Sequence, residues 1–123
     1  MSDPIKSYRD LVVWQSGIQL AEIAYSITRS FPRDELYGMT SQIRRASTSI
    51  PANIAEGYGR DSTGQFIQFL RVAQGSLKEL ETHIIVATRV SLLGAGEGDR
   101  ILAHCEELGR MLRGLIRTLE AKP

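Results

Sequence analysis

Arginine is the residue whose placement here is best suited to chemistry, and the chemistry it offers is contact with phosphate. A guanidinium is a planar fork of N–H donors that matches phosphate oxygens. Arg44, Arg45, Arg60 and Arg71 fall within residues 40–78, where five basic residues, Lys78 included, stand against two acids, Glu56 and Asp61. Arg110, Arg113 and Arg117 recur at i, i+3 and i+7, which places them on one face of a helix. These seven arginines are the candidate nucleic-acid-binding residues. The competing reading is a solvated face whose arginines pair with their own acids, Arg110 with Glu106 and Glu107 for instance. Formal net charge is +1, so any basic surface must come from clustering and not from excess.

Other chemistry finds less support. Cys105, His104 and His83 are thiol and imidazole groups, but Cys105 falls at an apolar heptad position, where a free cysteine behaves as a small hydrophobe. His104, its neighbour, points about 100° away on a helix. Three scattered groups do not supply the four ligands of a structural zinc site, so no metal or cofactor is expected. Gly94, Gly96 and Gly98 lack the preceding strand and the following lysine-serine or lysine-threonine pair of a phosphate loop, and read as a hinge between helices. Glu79 and Glu81 project from different sides of a helix, so no carboxylate pair is set up for acid–base work. The expectation is a protein that is not an enzyme.

The segment Ser41 to Gly57 mixes small, polar and apolar residues around Pro51. Asn53 is placed to satisfy backbone groups freed by the proline, and Glu56 to pair with Arg60 or Arg45. Such residues serve either as a polar network fixing one helix on another or as a partner surface. Trp14, Tyr25, Pro51, Asn53 and Glu56 are therefore candidate structural or oligomer-contact positions.

The elements that must position these residues are helices. Apolar residues recur at spacings of three and four, and no stretch alternates as a strand would. The first helix is expected from Asp10, a good N-cap, to about Ser30, before Phe31-Pro32. Its apolar stripe is Trp14, Ile18, Ala21 and Tyr25, widened by Leu20, Ile23, Ala24 and Ile27. The second runs from about Leu36 to Tyr58 through Met39, Ile43, Ala46, Ile50 and Ile54. Pro51 inside it removes the bond to the Ser47 carbonyl, so the segment is one kinked helix or two helices meeting there. The unbroken phase at Ile54 and Ala55 favours the kink. Ser62 and Gln65 form a capping-box pair for the third helix, which carries Phe66, Leu70, Ala73, Leu77, Leu80, Ile84 and Ala87 and ends near Leu92. After the glycine-rich turn at 94–98 the fourth carries Ile101, Cys105, Leu108, Leu112, Leu115 and Leu119. Strict heptads and short loops predict an all-α, antiparallel up-down four-helix bundle. Residues 1–9 form a polar N-terminal arm, and residues 10–120 form the bundle domain.

The chain has 123 residues, 42% hydrophobic and 24% charged, enough for one core without staples. One cysteine allows no internal disulfide, which fits a reducing compartment. The first residues lack the apolar region of a signal peptide, and no apolar run approaches the roughly 20 residues of a membrane span. The expected location is cytoplasmic.

The strings YRDLVVWQ (Tyr8 to Gln15), YGMTSQIRRASTSIPANIAEGYGR (Tyr37 to Arg60), FIQFLRVAQGSLKELET (Phe66 to Thr82) and LGRMLRGLIRTL (Leu108 to Leu119) together cover nearly the whole chain. Through them it resembles the bacterial four-helix-bundle proteins encoded within intervening sequences of 23S ribosomal RNA genes. Members of that family are similar to the accessory protein of diversity-generating retroelements, which assembles as a homopentamer and binds nucleic acid and a reverse transcriptase. The resemblance implies a four-helix bundle, a ring-shaped homo-oligomer of pentameric kind and association with ribosomal or other structured RNA. It also offers a reverse transcriptase as a partner by analogy, and it implies no enzyme activity. Two functions follow. One is an RNA-associated binding module whose arginines contact phosphates, with several weak patches combined in a ring. The other is a protein-interaction scaffold that binds no nucleic acid.

Overall fold

A computed structural model describes residues 4–122; the first three residues of the expected arm lie outside the described residues. Four helices form: α1 (Val12–Thr28), α2 (Met39–Tyr58), α3 (Thr63–Arg89) and α4 (Ala95–Glu120), with single 3₁₀ turns at Tyr8–Asp10 and Arg33–Glu35. Contacts across each seam run in opposite directions along the two partners. Gly17 and then Thr28 of α1 meet Pro51 and then Arg44 of α2. Ser76 of α3 meets Ser49 of α2, and Phe69 meets Gly57. Leu77 and Thr88 of α3 meet Gly109 and Gly98 of α4. The fold is the expected antiparallel four-helix bundle.

Heptad positions of α3 and α4 fill its centre. Leu70, Ala73, Leu77, Leu80, Ile84 and Ala87 are buried, as are Ile101, Cys105, Leu108 and Leu112. From α2 come Ile43, Ala46, Ile50 and Ile54. Each leucine or isoleucine among them removed from water contributes roughly 1.5–3 kcal/mol. Ile116 is more deeply placed than Leu115 and Leu119, which pack partly buried against the core.

The core face of α1 is centred on the expected Leu20, Ala21, Ala24 and Ile27 and is rotated away from Trp14, Ile18 and Tyr25. Val13, Gly17, Leu20, Ala21, Ala24, Ile27 and Thr28 are buried, whereas Trp14 and Ile18 are half-buried and Tyr25 is exposed. The helix also begins later than Asp10. Ser7 caps the first 3₁₀ turn, its hydroxyl accepting from Arg9 N, while the Asp10 carboxylate accepts from the Ser7 and Lys6 backbone N–H groups at 3.1 and 2.9 Å. Asp10 therefore closes a capping box instead of opening α1.

Through Pro51, α2 remains one element. The proline is buried and faces Gly17, where an added Cβ would lie 3.3 Å from the Pro51 Cβ. The missing side chain at Gly17 gives the ring its place against α1.

The turn after α3 differs from the expected one. Val90 is the C-cap and Ser91 takes the left-handed conformation at φ 66°. The Leu92 N–H donates to the Ala87 carbonyl (2.9 Å) and Ser91 N–H to the Thr88 carbonyl (3.1 Å), a Schellman closure with serine at the position usually held by glycine. Of the three glycines expected in this turn only Gly94 lies outside the helix, as the N-cap of α4. Gly98 is buried where α3 crosses, its hypothetical Cβ only 2.6 Å from the Thr88 hydroxyl.

Candidate nucleic-acid interface

Flanking the α3 seam, Arg71, Gln74 and Lys78 sit at i, i+3 and i+7, one face of a helix. Flanking the α4 seam, Arg113 and Arg117 sit one turn apart. The antiparallel register brings these two rows to opposite sides of one groove. Arg71, Gln74, Arg113, Ile116, Arg117 and Glu120 line one part of it, and Gln74, Gly75, Leu77, Lys78, Gly109 and Arg113 line the adjoining part, a recess of about 350 Å³. Arg71 donates to the Glu120 carboxylate at 2.8 Å, and Lys78 pairs with Glu81 at 3.0 Å. Arg113 and Arg117 make no ion pair among the described residues. Four cations from two helices thus rim one groove, with carboxylates at its two ends.

The groove takes three of the seven candidate arginines. The other four lie elsewhere. Arg44 is held between α1 and α2: its Nε donates to Thr28 Oγ1 at 2.9 Å, and its guanidinium lies 4.5 Å from the Tyr25 ring centroid. Thr28 is buried and its hydroxyl donates in turn to the Ala24 carbonyl. Arg45, next in sequence, is exposed and unpaired among the described residues. Arg60 pairs with Glu56 at 3.3 Å and lies over Phe69 at 4.8 Å. Arg110 is neutralised by Glu106 (3.4 Å) and Glu107 (3.3 Å), the solvated-face arrangement. Exposed pairs of this kind contribute about 0–1 kcal/mol each.

Lys78 and Gln74 were not among the candidates. The signal for them was available, because both follow Arg71 at helical spacing. Seeing it needs the register between α3 and α4, which fixes which flanking residues face one another.

The candidate structural positions are mostly occupied within the chain. Trp14 meets Tyr8 edge-on at 5.3 Å, fastening the first 3₁₀ turn to α1. Tyr25 carries the Arg44 guanidinium. Asn53 donates to the Ser49 carbonyl (2.8 Å) and hydroxyl (3.0 Å), and that hydroxyl is 2.8 Å from Ser76 Oγ on α3. The polar network next to Pro51 therefore links α2 to α3. Its amide bond goes to Ser49 and not to Ser47, whose carbonyl the proline leaves without its helical donor.

Between α1 and α4 a second cleft holds Arg100 and His104, with Ile23, Ile27 and Ile101 as apolar walls. His104 Nε2 lies 3.4 Å from Ser16 Oγ. Glu97 and Glu107 line the same seam and oppose a polyanion there. Cys105 is fully buried; burial, reinforced by the Glu81 charge, pushes its thiol from 9.0 up to about 12. Such a thiol is protonated at neutral pH and is a poor nucleophile. Among the described residues no group of three or more His, Cys, Asp or Glu is disposed to hold a metal, and no helix is long and apolar enough to cross a membrane.

Comparison with known proteins agrees with this architecture. A crystal structure of a protein of unknown function from the S23 ribosomal protein family of Bacteroides thetaiotaomicron superposes with a TM-score of 0.77 at 25% identity, covering 85% of this chain and 98% of that one. A search of curated proteins finds no match. The family model described as 23S rRNA-intervening sequence protein matches residues 9–114, which takes in all of α1, α2 and α3 and most of α4, and the chain therefore belongs to that family.

Proposed function

We propose that the protein is a non-enzymatic RNA-associated module that grips the phosphate backbone of structured RNA, ribosomal RNA in the first place, through the α3–α4 groove. The observation that carries this reading is the convergence of Arg71, Arg113, Arg117 and Lys78 from two helices, with Arg113 and Arg117 unpaired. Two unneutralised guanidiniums on the α4 wall, with Arg71 and Lys78 on the α3 wall opposite, concentrate positive potential in an otherwise nearly neutral molecule. A phosphate entering there displaces Glu120 from Arg71 and gains forked contacts from both walls. The module works in the cytoplasm as a homo-oligomer, a pentameric ring, so that one weak groove per subunit is multiplied on a single RNA. Association with a reverse transcriptase remains part of this reading by analogy with the retroelement accessory protein.

Titration of structured ribosomal RNA fragments at two salt concentrations tests it. Affinity is expected to fall steeply with salt, and a double Arg113→Glu, Arg117→Glu variant is expected to lose most of it. Absence of binding at low salt, or binding indifferent to salt, overturns the reading. The ring has its own measurement: light scattering should give a mass several times 13.7 kDa, and a monomer at micromolar concentration removes it.

A specific observation favours the second function, a protein scaffold without RNA. Val72, Ile85 and Val86 of α3 and Val90 at its C-cap are 49%, 41%, 40% and 60% exposed, and Tyr37 before α2 is 93% exposed. These apolar side chains suit contact with another protein or with further subunits. Pull-down after nuclease treatment separates the readings, since a scaffold keeps its partner when RNA is destroyed.

A further inference from the structure

Not all of the α3–α4 groove is a phosphate track. Its recess has an apolar floor and an amide in its wall, which a phosphate alone does not use. Leu77 supplies the floor and Gln74 the amide, while Arg113 and Lys78 stand at the rim. Gly75 opens the wall: a Cβ built there meets nothing within 4 Å. Across the recess, a Cβ at Gly109 would touch only Leu77 Cδ2 at 3.5 Å and the Arg113 Nη1 at 3.6 Å. The Arg113 guanidinium thus borders the hollow and is not swung away from it.

We propose that this recess takes the unpaired base of a single-stranded or bulged RNA nucleotide, with Arg113 and Lys78 on the phosphates that flank it. The inference rests on the reading of the groove as an RNA site and adds the class of RNA. A duplex carries its phosphates on outward ridges and keeps its bases stacked inside, so it reaches the cations at the rim but leaves the recess empty. A single strand turns its bases outward as its backbone follows a charged groove. Proteins hold such bases against flat side chains, arginine guanidiniums included, and bond their edges with amides. Here Arg113 offers the plane, Gln74 a donor and an acceptor, and Leu77 the apolar contact. At about 350 Å³ the recess is of small-ligand size. The α1–α4 cleft has comparable room, but Glu97 in its wall and Glu107 in the adjoining hollow disfavour the phosphates that would accompany a base.

The test uses fluorescence anisotropy on the full chain with three labelled probes at one low salt concentration: a mixed-sequence single-stranded RNA, the same strand annealed to its complement, and the strand carrying abasic positions. The single strand should bind about tenfold more tightly than the duplex, the equivalent of one stacked base, and the abasic strand should fall to the duplex level. Gly75→Leu adds an apolar side chain to the wall of the recess, where the first added carbon meets nothing, and leaves every charge in place. It should abolish the preference for the single strand, with Gln74→Ala giving a smaller loss of the same kind. Duplex binding equal to or tighter than the single strand, or a preference that survives Gly75→Leu, overturns the inference while leaving the groove as a phosphate site. If no probe binds, or if Arg113→Glu with Arg117→Glu changes nothing, the RNA reading and this inference fall together.

Discussion

The seams around α2 and the seam between α3 and α4 are built from the same residue types to opposite ends. Gly57 exists because α3 leaves no room: a Cβ there would lie 2.5 Å from the Phe69 Cβ and 3.1 Å from Phe66 Cδ1. Gly75 faces open space. Arg44 is bonded to buried Thr28 and covered on one side by Tyr25, whereas Arg113 and Arg117 end in a groove without a carboxylate partner. Ser49, Ser76 and Asn53 satisfy one another across α2 and α3, while the Gln74 amide makes no hydrogen bond among the described residues. A glycine or an arginine is thus structural or available according to what the facing helix presents, and residue type alone does not decide it.

Substituting the two glycines with alanine should split them by sign. Alanine is favoured over glycine inside a helix by about 1 kcal/mol. At Gly75 that gain stands alone, so Gly75→Ala should stabilise the fold by about 1 kcal/mol. At Gly57 the new methyl meets a Cβ, which cannot rotate away, and α2 and α3 must separate. Overpacking should then outweigh the propensity gain and leave Gly57→Ala less stable by about 1–3 kcal/mol. Urea unfolding of both variants measures the split; two shifts of the same sign would erase the contrast between a closed and an open seam.

The bundle itself was legible in the sequence because burial at every third or fourth position is written in residue type. Leu70, Leu77, Leu108 and Leu112 lie where the heptads put them. The centre of the α1 face was legible only in part: Leu20, Ala21, Ala24 and Ile27 are buried as expected, but Trp14, Ile18 and Tyr25 match the periodicity as well as they do and lie further out. Tyr8 and Arg44, both distant from the helix interior in sequence, cover Trp14 and Tyr25 and make their outer positions tolerable. Gly98 read as a turn because its reason for being glycine is the Thr88 side chain on another helix. The groove was half legible. The i, i+3, i+7 spacing grouped Arg113 and Arg117 with Arg110, but Arg110 turns to Glu106 and Glu107, and the partners opposite, Arg71, Gln74 and Lys78, depend on a register that no local pattern records.

Adjacent arginines on α2 sharpen the same contrast at smaller magnitude. Arg44→Ala removes a hydrogen bond to a buried hydroxyl together with a cation–π contact, and should cost about 1–2 kcal/mol. Arg45→Ala removes an exposed side chain that makes no hydrogen bond or ion pair among the described residues and should stay within about 0.5 kcal/mol of the parent. Thermal unfolding of the two single variants suffices, and equal effects would mean that the Tyr25–Arg44–Thr28 cluster adds nothing to the α1–α2 seam.

The last effect depends on pH and concerns the core beside the open seam, where Cys105 feels the charges of Glu81 and Lys78. Its thiol titrates at about 12 in the folded protein against 9.0 when unfolded, with burial as the main cause and the Glu81 charge adding to it. The folded state therefore keeps a proton that the unfolded state loses. Stability from this group is fully present below about pH 9 and declines as pH rises toward 12, because there the unfolded state binds fewer protons. The slope from one such group is at most about 1.4 kcal/mol per pH unit. Cys105→Ala lowers stability at every pH through its small cavity but lacks the titrating thiol, so its stability curve should fall less steeply than the parent's between pH 9 and 12. Parallel curves would mean that water reaches the sulfur, in which case the core beside the open seam is packed more loosely than the closed seams.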